Sequence, residues 1–169
     1  SIVEMLINSM PNWECIGFGV ENHIEVLKEI IRKEITSETI KIKSMPDFIA
    51  FNKKTQKILF IEVKYKAFID KRVSGKSVYE FKYKRLDELI KHWKETKLII
   101  VHPHEPYFFV IDLKDVKEKE MRTTKQTEEN EWTDYWDFGN IERDIRELFP
   151  ELREVFIEEA IKLIPKPES

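Results

Sequence analysis

The stretch MPDFIAFNKKTQKILFIEVKYK, residues 45 to 66, decides the fold. Two runs rich in Ile, Phe and Val, PDFIAF and KILFIEVKY, flank the polar segment NKKTQK, which is the pattern of a β-hairpin. Asp47, Glu62 and Lys64 interrupt its apolar face. Burying a carboxylate or an ammonium is costly unless the ion is paired or bound to a metal. Alternate residues of a strand share a face, so Glu62 and Lys64 point one way while Ile61, Val63 and Tyr65 point the other. Pairing residue 47 with 64 brings Asp47 level with the Glu62–Lys64 end, sets Phe51 opposite Phe60 and leaves a loop of eight residues.

Two carboxylates held close together repel, and a cation between them relieves the repulsion. Mg²⁺ suits such a place, because it prefers oxygen ligands at about 2.0–2.1 Å and usually keeps several waters. Asp47, Glu62 and the main-chain carbonyl of Val63 form the expected ligand set, with Mn²⁺ as a substitute ion. Lys64 beside the metal can orient or help deprotonate a water, or offset negative charge in a transition state. This is the chemistry of phosphodiester hydrolysis.

Outward from the hairpin, periodicity supplies the remaining elements. SIVEMLINSM reads as a short helix ended by Pro11, and VENHIEVLKEIIRKEI as an amphipathic helix with Val20, Ile24, Leu27 and Ile31 on its stripe. ETIKIKS alternates and reads as a strand, so that three consecutive strands would form a meander. KSVYEFKYKRLDELIKHWKE reads as a second long helix, with Ser77 and Glu80 at capping-box spacing and Tyr79, Leu86, Ile90 and Trp93 on the buried stripe. KLIIVH and YFFVIDL are two strands parted by PHEP. Helices are expected over NIERDIRELF and ELREVFIEEAIKLI. The order α, β, β, β, α, β, β implies an α/β fold with a mixed β-sheet flanked by helices.

At 169 residues, with 41% hydrophobic and 36% charged residues, the chain reads as a single folded domain, 1–169. Residues 20–112 form the expected core and 113–169 a C-terminal loop and helical extension. A single cysteine, Cys15, excludes an internal disulfide and reads as a packed thiol. No apolar run reaches a membrane span, and no signal-peptide pattern opens the sequence, so the expected setting is cytoplasmic. The net charge of -3 hides a gradient: residues 51–85 hold eleven Lys or Arg against three Asp or Glu, and residues 115–169 hold nine against sixteen. The basic middle is either a footprint for phosphates or a solvated surface.

Pro46-Asp47 followed by Glu62-Val63-Lys64 resembles the paired half-motifs of the PD-(D/E)xK nuclease superfamily, and the αβββαβ order resembles its restriction-endonuclease-like core. The resemblance implies Mg²⁺-dependent cleavage of DNA, with Asp47 and Glu62 as metal ligands and Lys64 as catalytic partner. In size the chain is similar to archaeal Holliday-junction resolvases and small restriction-type enzymes, for which a homodimer fits a two-stranded substrate. Family members often add a Glu from the first core helix and a Lys or Gln from the second. Glu21, beside the helical stripe, and Lys82, four residues before Leu86, are the matching positions. Glu21 also reads as a first-turn residue favoured by the helix dipole, and Lys82 as a snorkelling lysine. A nuclease-like fold that binds DNA or assembles with partners without cutting is the alternative.

His102 and His104 read as structural or solvated. Trp132, Tyr135, Trp136 and Phe138 either stack on bases or, as their acidic surroundings favour, pack against the core.

Overall fold

The structure, a computed structural model, describes residues 1–19, 25–33, 35–67, 70–71 and 77–167. The hairpin forms as the alternation dictates: β2 (Phe48–Asn52) and β3 (Ile58–Tyr65) are antiparallel. Its turn is fastened by Asn52, whose side-chain oxygen accepts the N–H groups of Lys54 and Thr55 at 2.9 and 3.0 Å. Phe48 pairs with Ile61 and Phe51 with Ile58, so the register carries Asp47 to Glu62 rather than to Lys64. The shift from expectation is two residues. Because the side-chain period is also two, Asp47, Glu62 and Lys64 still share one face.

The strand before β2 in the sheet comes from another part of the sequence than expected. β1 (Trp13–Gly17), unanticipated, lies antiparallel to β2, while ETIKIKS is helical, forming α3 (Ser37–Lys43). Thr36 decides this locally. Its hydroxyl accepts the Thr39 N–H, and Thr39 accepts the Thr36 N–H at 2.8 Å, a capping box that outweighs a short alternating pattern. The helix expected from residue 20 is present as α2 (Glu25–Lys33), with 20–24 outside the described residues.

The second expected long helix divides. Residues Ser77–Lys82 form strand β5, and only Arg85–His92 form helix α4. Lys82 therefore stands on a strand, and the Ser77 to Glu80 spacing caps nothing. β6 (Thr96–Val101) then lies parallel to β3, and β7 (Phe108–Asp112) antiparallel to β6. A two-residue strand, β10 (Arg143–Asp144), completes a six-stranded sheet of order β1-β2-β3-β6-β7-β10. A second sheet, β4-β5-β9-β8, joins β4 (Asp70–Lys71) and β5 to β8 (Arg122–Gln126) and β9 (Trp132–Trp136).

Two apolar cores follow. On one side of the large sheet, Ala50, Ile61, Ile99 and Val110 pack against α1 (Ile2–Asn8) and α7 (Glu154–Leu163), whose Leu6, Ile7, Ile157 and Ala160 are buried. On the other side, Leu98, Ile100 and Ile111 pack against α4 and the second sheet through Leu86, Leu89, Tyr79, Phe81 and Trp136. Leu98, Ile99 and Ile100 are wholly buried, because a central strand covered on both faces needs a continuous apolar run. Trp136 and Phe138 pack inside as expected, whereas Trp132 is 54% exposed. Cys15 is buried, and burial pushes its thiol up to about 12, which keeps it inert. Among the described residues, no helix is long and apolar enough to cross a membrane.

Near Gly139, burial pushes the half-buried Glu142 carboxyl from its ordinary 4.5 up to about 7. The charge of Asp137 adds to the rise, and a bond from the Tyr79 hydroxyl opposes it. The folded state thus holds this proton more tightly than the unfolded chain does. That contribution to stability is full below pH 4.5 and is lost as pH rises through about 7. Thermal unfolding from pH 5 to 8 should show a smaller fall in Tm for Glu142→Gln than for the parent chain.

Candidate active site at the open end of the hairpin

The site is built where β2 begins. Asp47 and Glu62 cross-link the two strands reciprocally: the Asp47 N–H donates to Glu62 Oε2 at 3.2 Å, and the Val63 N–H donates to Asp47 Oδ2 at 2.8 Å. The main chain before β2 is held from the other side, since Phe18 and Gly19 donate their N–H groups to the Asp47 carbonyl at 2.8 and 3.2 Å. Continuing the register sets Pro46 opposite Val63. Proline has no N–H, so it gives the Val63 carbonyl no ladder bond. A β-strand residue turns its N–H and C=O to the same side, so this carbonyl faces the Asp47 side with the N–H.

Glu62 is fully buried and faces the second core, in register with Leu98 on β6. A carboxylate there needs cations, and two supply it: Lys64 Nζ at 3.1 Å and Arg85 Nη2 at 2.9 Å, both on Oε1. Lys64 is in register with Ile100 and so emerges on the same face as Glu62. The Glu62–Lys64 pair is therefore not a solvated surface ion pair, because Glu62 has no exposure.

Arg85 was not legible as a site residue. It occupies the place expected of Lys82, which is exposed on β5; the guanidinium on Glu62 comes from the first residue of α4. A turn held from the second sheet delivers it. The Lys84 N–H donates to Asp134 Oδ2 at 2.9 Å, while Asp134 Oδ1 accepts the Thr124 hydroxyl at 2.6 Å. Asp134 is wholly buried, and Lys84 has φ 62°, a left-handed conformation that costs a non-glycine residue about 1 kcal/mol or more. The buried carboxylate offsets that strain. The signal in the sequence was the start of the Leu86, Leu89, Ile90 periodicity immediately after Arg85.

Glu21 lies outside the described residues. Among the described residues, no group of three or more His, Cys, Asp and Glu gathers as a metal site. Asp47, Glu62 and the Val63 carbonyl offer oxygen donors alone, a donor set that suits a hard divalent cation that retains water. His102 and His104 are tied to each other, with the His104 N–H on His102 Nδ1 at 3.1 Å. Beyond Lys64, burial lowers the Lys66 ammonium from its ordinary range and the Lys64 charge lowers it further, against a smaller opposite effect of Glu80. Compared with known proteins, the chain matches no family model and no curated protein.

If Asp134 acts on Glu62 through Arg85, the two positions are energetically coupled. Urea unfolding should show Asp134→Ala and Arg85→Met each destabilising by about 1–3 kcal/mol. The double variant should fall short of additivity by about 0.5 kcal/mol or more.

Proposed function

We propose that the protein is a Mg²⁺-dependent nuclease that hydrolyses phosphodiester bonds of DNA at Asp47, Glu62 and Lys64. The observation that carries this reading is the reciprocal Asp47–Glu62 cross-link, with Lys64 3.1 Å from Glu62. It sets two acids and an ammonium on one face at a strand end. The topology also supports a restriction-endonuclease-like core: α1, β1, β2, β3, α4 and β6 run in the order αβββαβ, with β3 and β6 parallel. In that trace α2 and α3 are inserted between the first two strands, and β4 and β5 between β3 and α4.

Asp47, Glu62 and the Val63 carbonyl would hold the ion, which when bound supplies Lewis acidity and a more acidic water. Lys64 orients the attacking water and offsets charge growing on the phosphate. Arg85 fixes the Glu62 carboxylate so that it presents its remaining lone pairs in one direction. The basic segment from Lys53 to Arg85 supplies phosphate contacts.

The double engagement of Glu62 by Lys64 and Arg85 favours a second reading, a binding or assembly module that does not cut, because its carboxylate charge is already compensated. Cleavage of linear, supercoiled and branched DNA separates the two. Nicking or cutting with Mg²⁺ or Mn²⁺, abolished by EDTA and lowered about 100-fold or more in Asp47→Asn and in Lys64→Ala, is expected of the nuclease. Salt-sensitive binding of DNA with no cleavage in either metal assigns the silent module.

A further inference from the structure

Beyond Lys64 a groove of about 490 Å³ opens between the end of β3 and the second sheet, with Lys66, Phe81, Lys82 and Trp132 in its walls. β5 and β9 are paired from Tyr79–Trp136 to Lys82–Thr133, so one further step of the register sets Tyr83 opposite Trp132. These two rings are 43% and 54% exposed, with centroids 6.5 Å apart and planes tilted by 34°. Side chains of this size normally lose such area to the core; Trp136 and Phe138, a few residues on, do.

One cation adjoins the pair and another lies in the groove. Lys84 Nζ lies 5.1 Å from the Tyr83 ring, and Lys66 Nζ lies 4.2 Å over Phe81 while donating to the Glu80 carbonyl. Lys82 and Lys84 form no ion pair with the described residues. The acids of the groove are Glu80 and Glu131, both exposed at its rim. Lys66 continues the β3 ladder by donating its N–H to the Val101 carbonyl at 2.9 Å, which sets it about 7 Å along the chain from Lys64. A row of positive charge therefore leads from the Asp47–Glu62 corner to two exposed aromatic faces.

We propose that this groove and the Trp132–Tyr83 pair at its edge bind unpaired nucleotides, whose bases stack on the two rings while Lys66 and Lys82 in the groove and Lys84 beside Tyr83 hold the phosphates. Stacking on an indole face needs a base free of its partner, whereas phosphate contacts alone would serve a duplex equally well. The inference rests on the nuclease reading only in assigning the scissile phosphate to the Lys64 end. Its substrate class is then a strand with a single-stranded segment beside the cut: a flap, a frayed end or a branch.

The full chain is titrated at low salt in EDTA, so that nothing is cut. The probes are oligothymidylate and oligouridylate of about twelve nucleotides, an abasic oligomer of the same length and charge, and a duplex. Quenching of tryptophan fluorescence and anisotropy of labelled probe report binding. Oligothymidylate or oligouridylate should bind about fivefold or more tighter than the abasic strand and the duplex. Trp132→Ala should remove that preference while leaving abasic affinity unchanged, and Trp132→Phe should restore most of it. Equal affinity for the base-bearing and abasic strands in the parent chain overturns the proposal, as does an alanine variant that weakens both alike. A parent chain that cuts DNA yet shows no base preference loses only this inference. One that prefers bases yet never cuts loses only the nuclease.

Discussion

A carboxylate with no exposure to water, Glu62, constrains everything around it. Its charge can be kept in that position only if cations reach it, and each that does is brought by a different level of structure. Lys64 comes from strand alternation two residues along. Arg85 comes from the start of a helix whose position is fixed by a turn on the second sheet. The N–H of Asp47 comes from the register of the hairpin. Local pattern, sheet pairing and tertiary packing thus converge on one pair of oxygens.

The large sheet provides the rigidity that such convergence needs. β3 is held on both sides, antiparallel to β2 and parallel to β6, and β6 is buried on both faces between two cores. The open ends of these strands are where the ladder stops and polar groups become available. A backbone fixed behind the site is the condition under which side chains hold one geometry without a bound ligand.

What could be read from the chain depended on how local its cause was. The hairpin, β6, β7, α1 and α7 follow from short-range periodicity, and the shared face of Asp47, Glu62 and Lys64 survived a two-residue register shift because parity alone decides it. α3 was misread because IKIK satisfies an alternating template, while the Thr36–Thr39 cap that fixes the helix leaves a weaker mark. β5 was misread because Tyr79 and Leu86 also fall on a helical stripe. What makes the segment a strand is β9, more than fifty residues away, and no local count contains that partner. Arg85 was hidden for the same reason: extending the helix back to Ser77 placed the inward cation three residues too early.

Pro46 acts as the stop on a zipper. Each rung of the hairpin from Phe51–Ile58 to Phe48–Ile61 closes on the next, and the closure would run on past Asp47 if residue 46 could offer an amide hydrogen to Val63. A single imino acid therefore determines the depth of the notch: one rung more would seal the mouth between the strands, and one rung fewer would let the two acids drift apart.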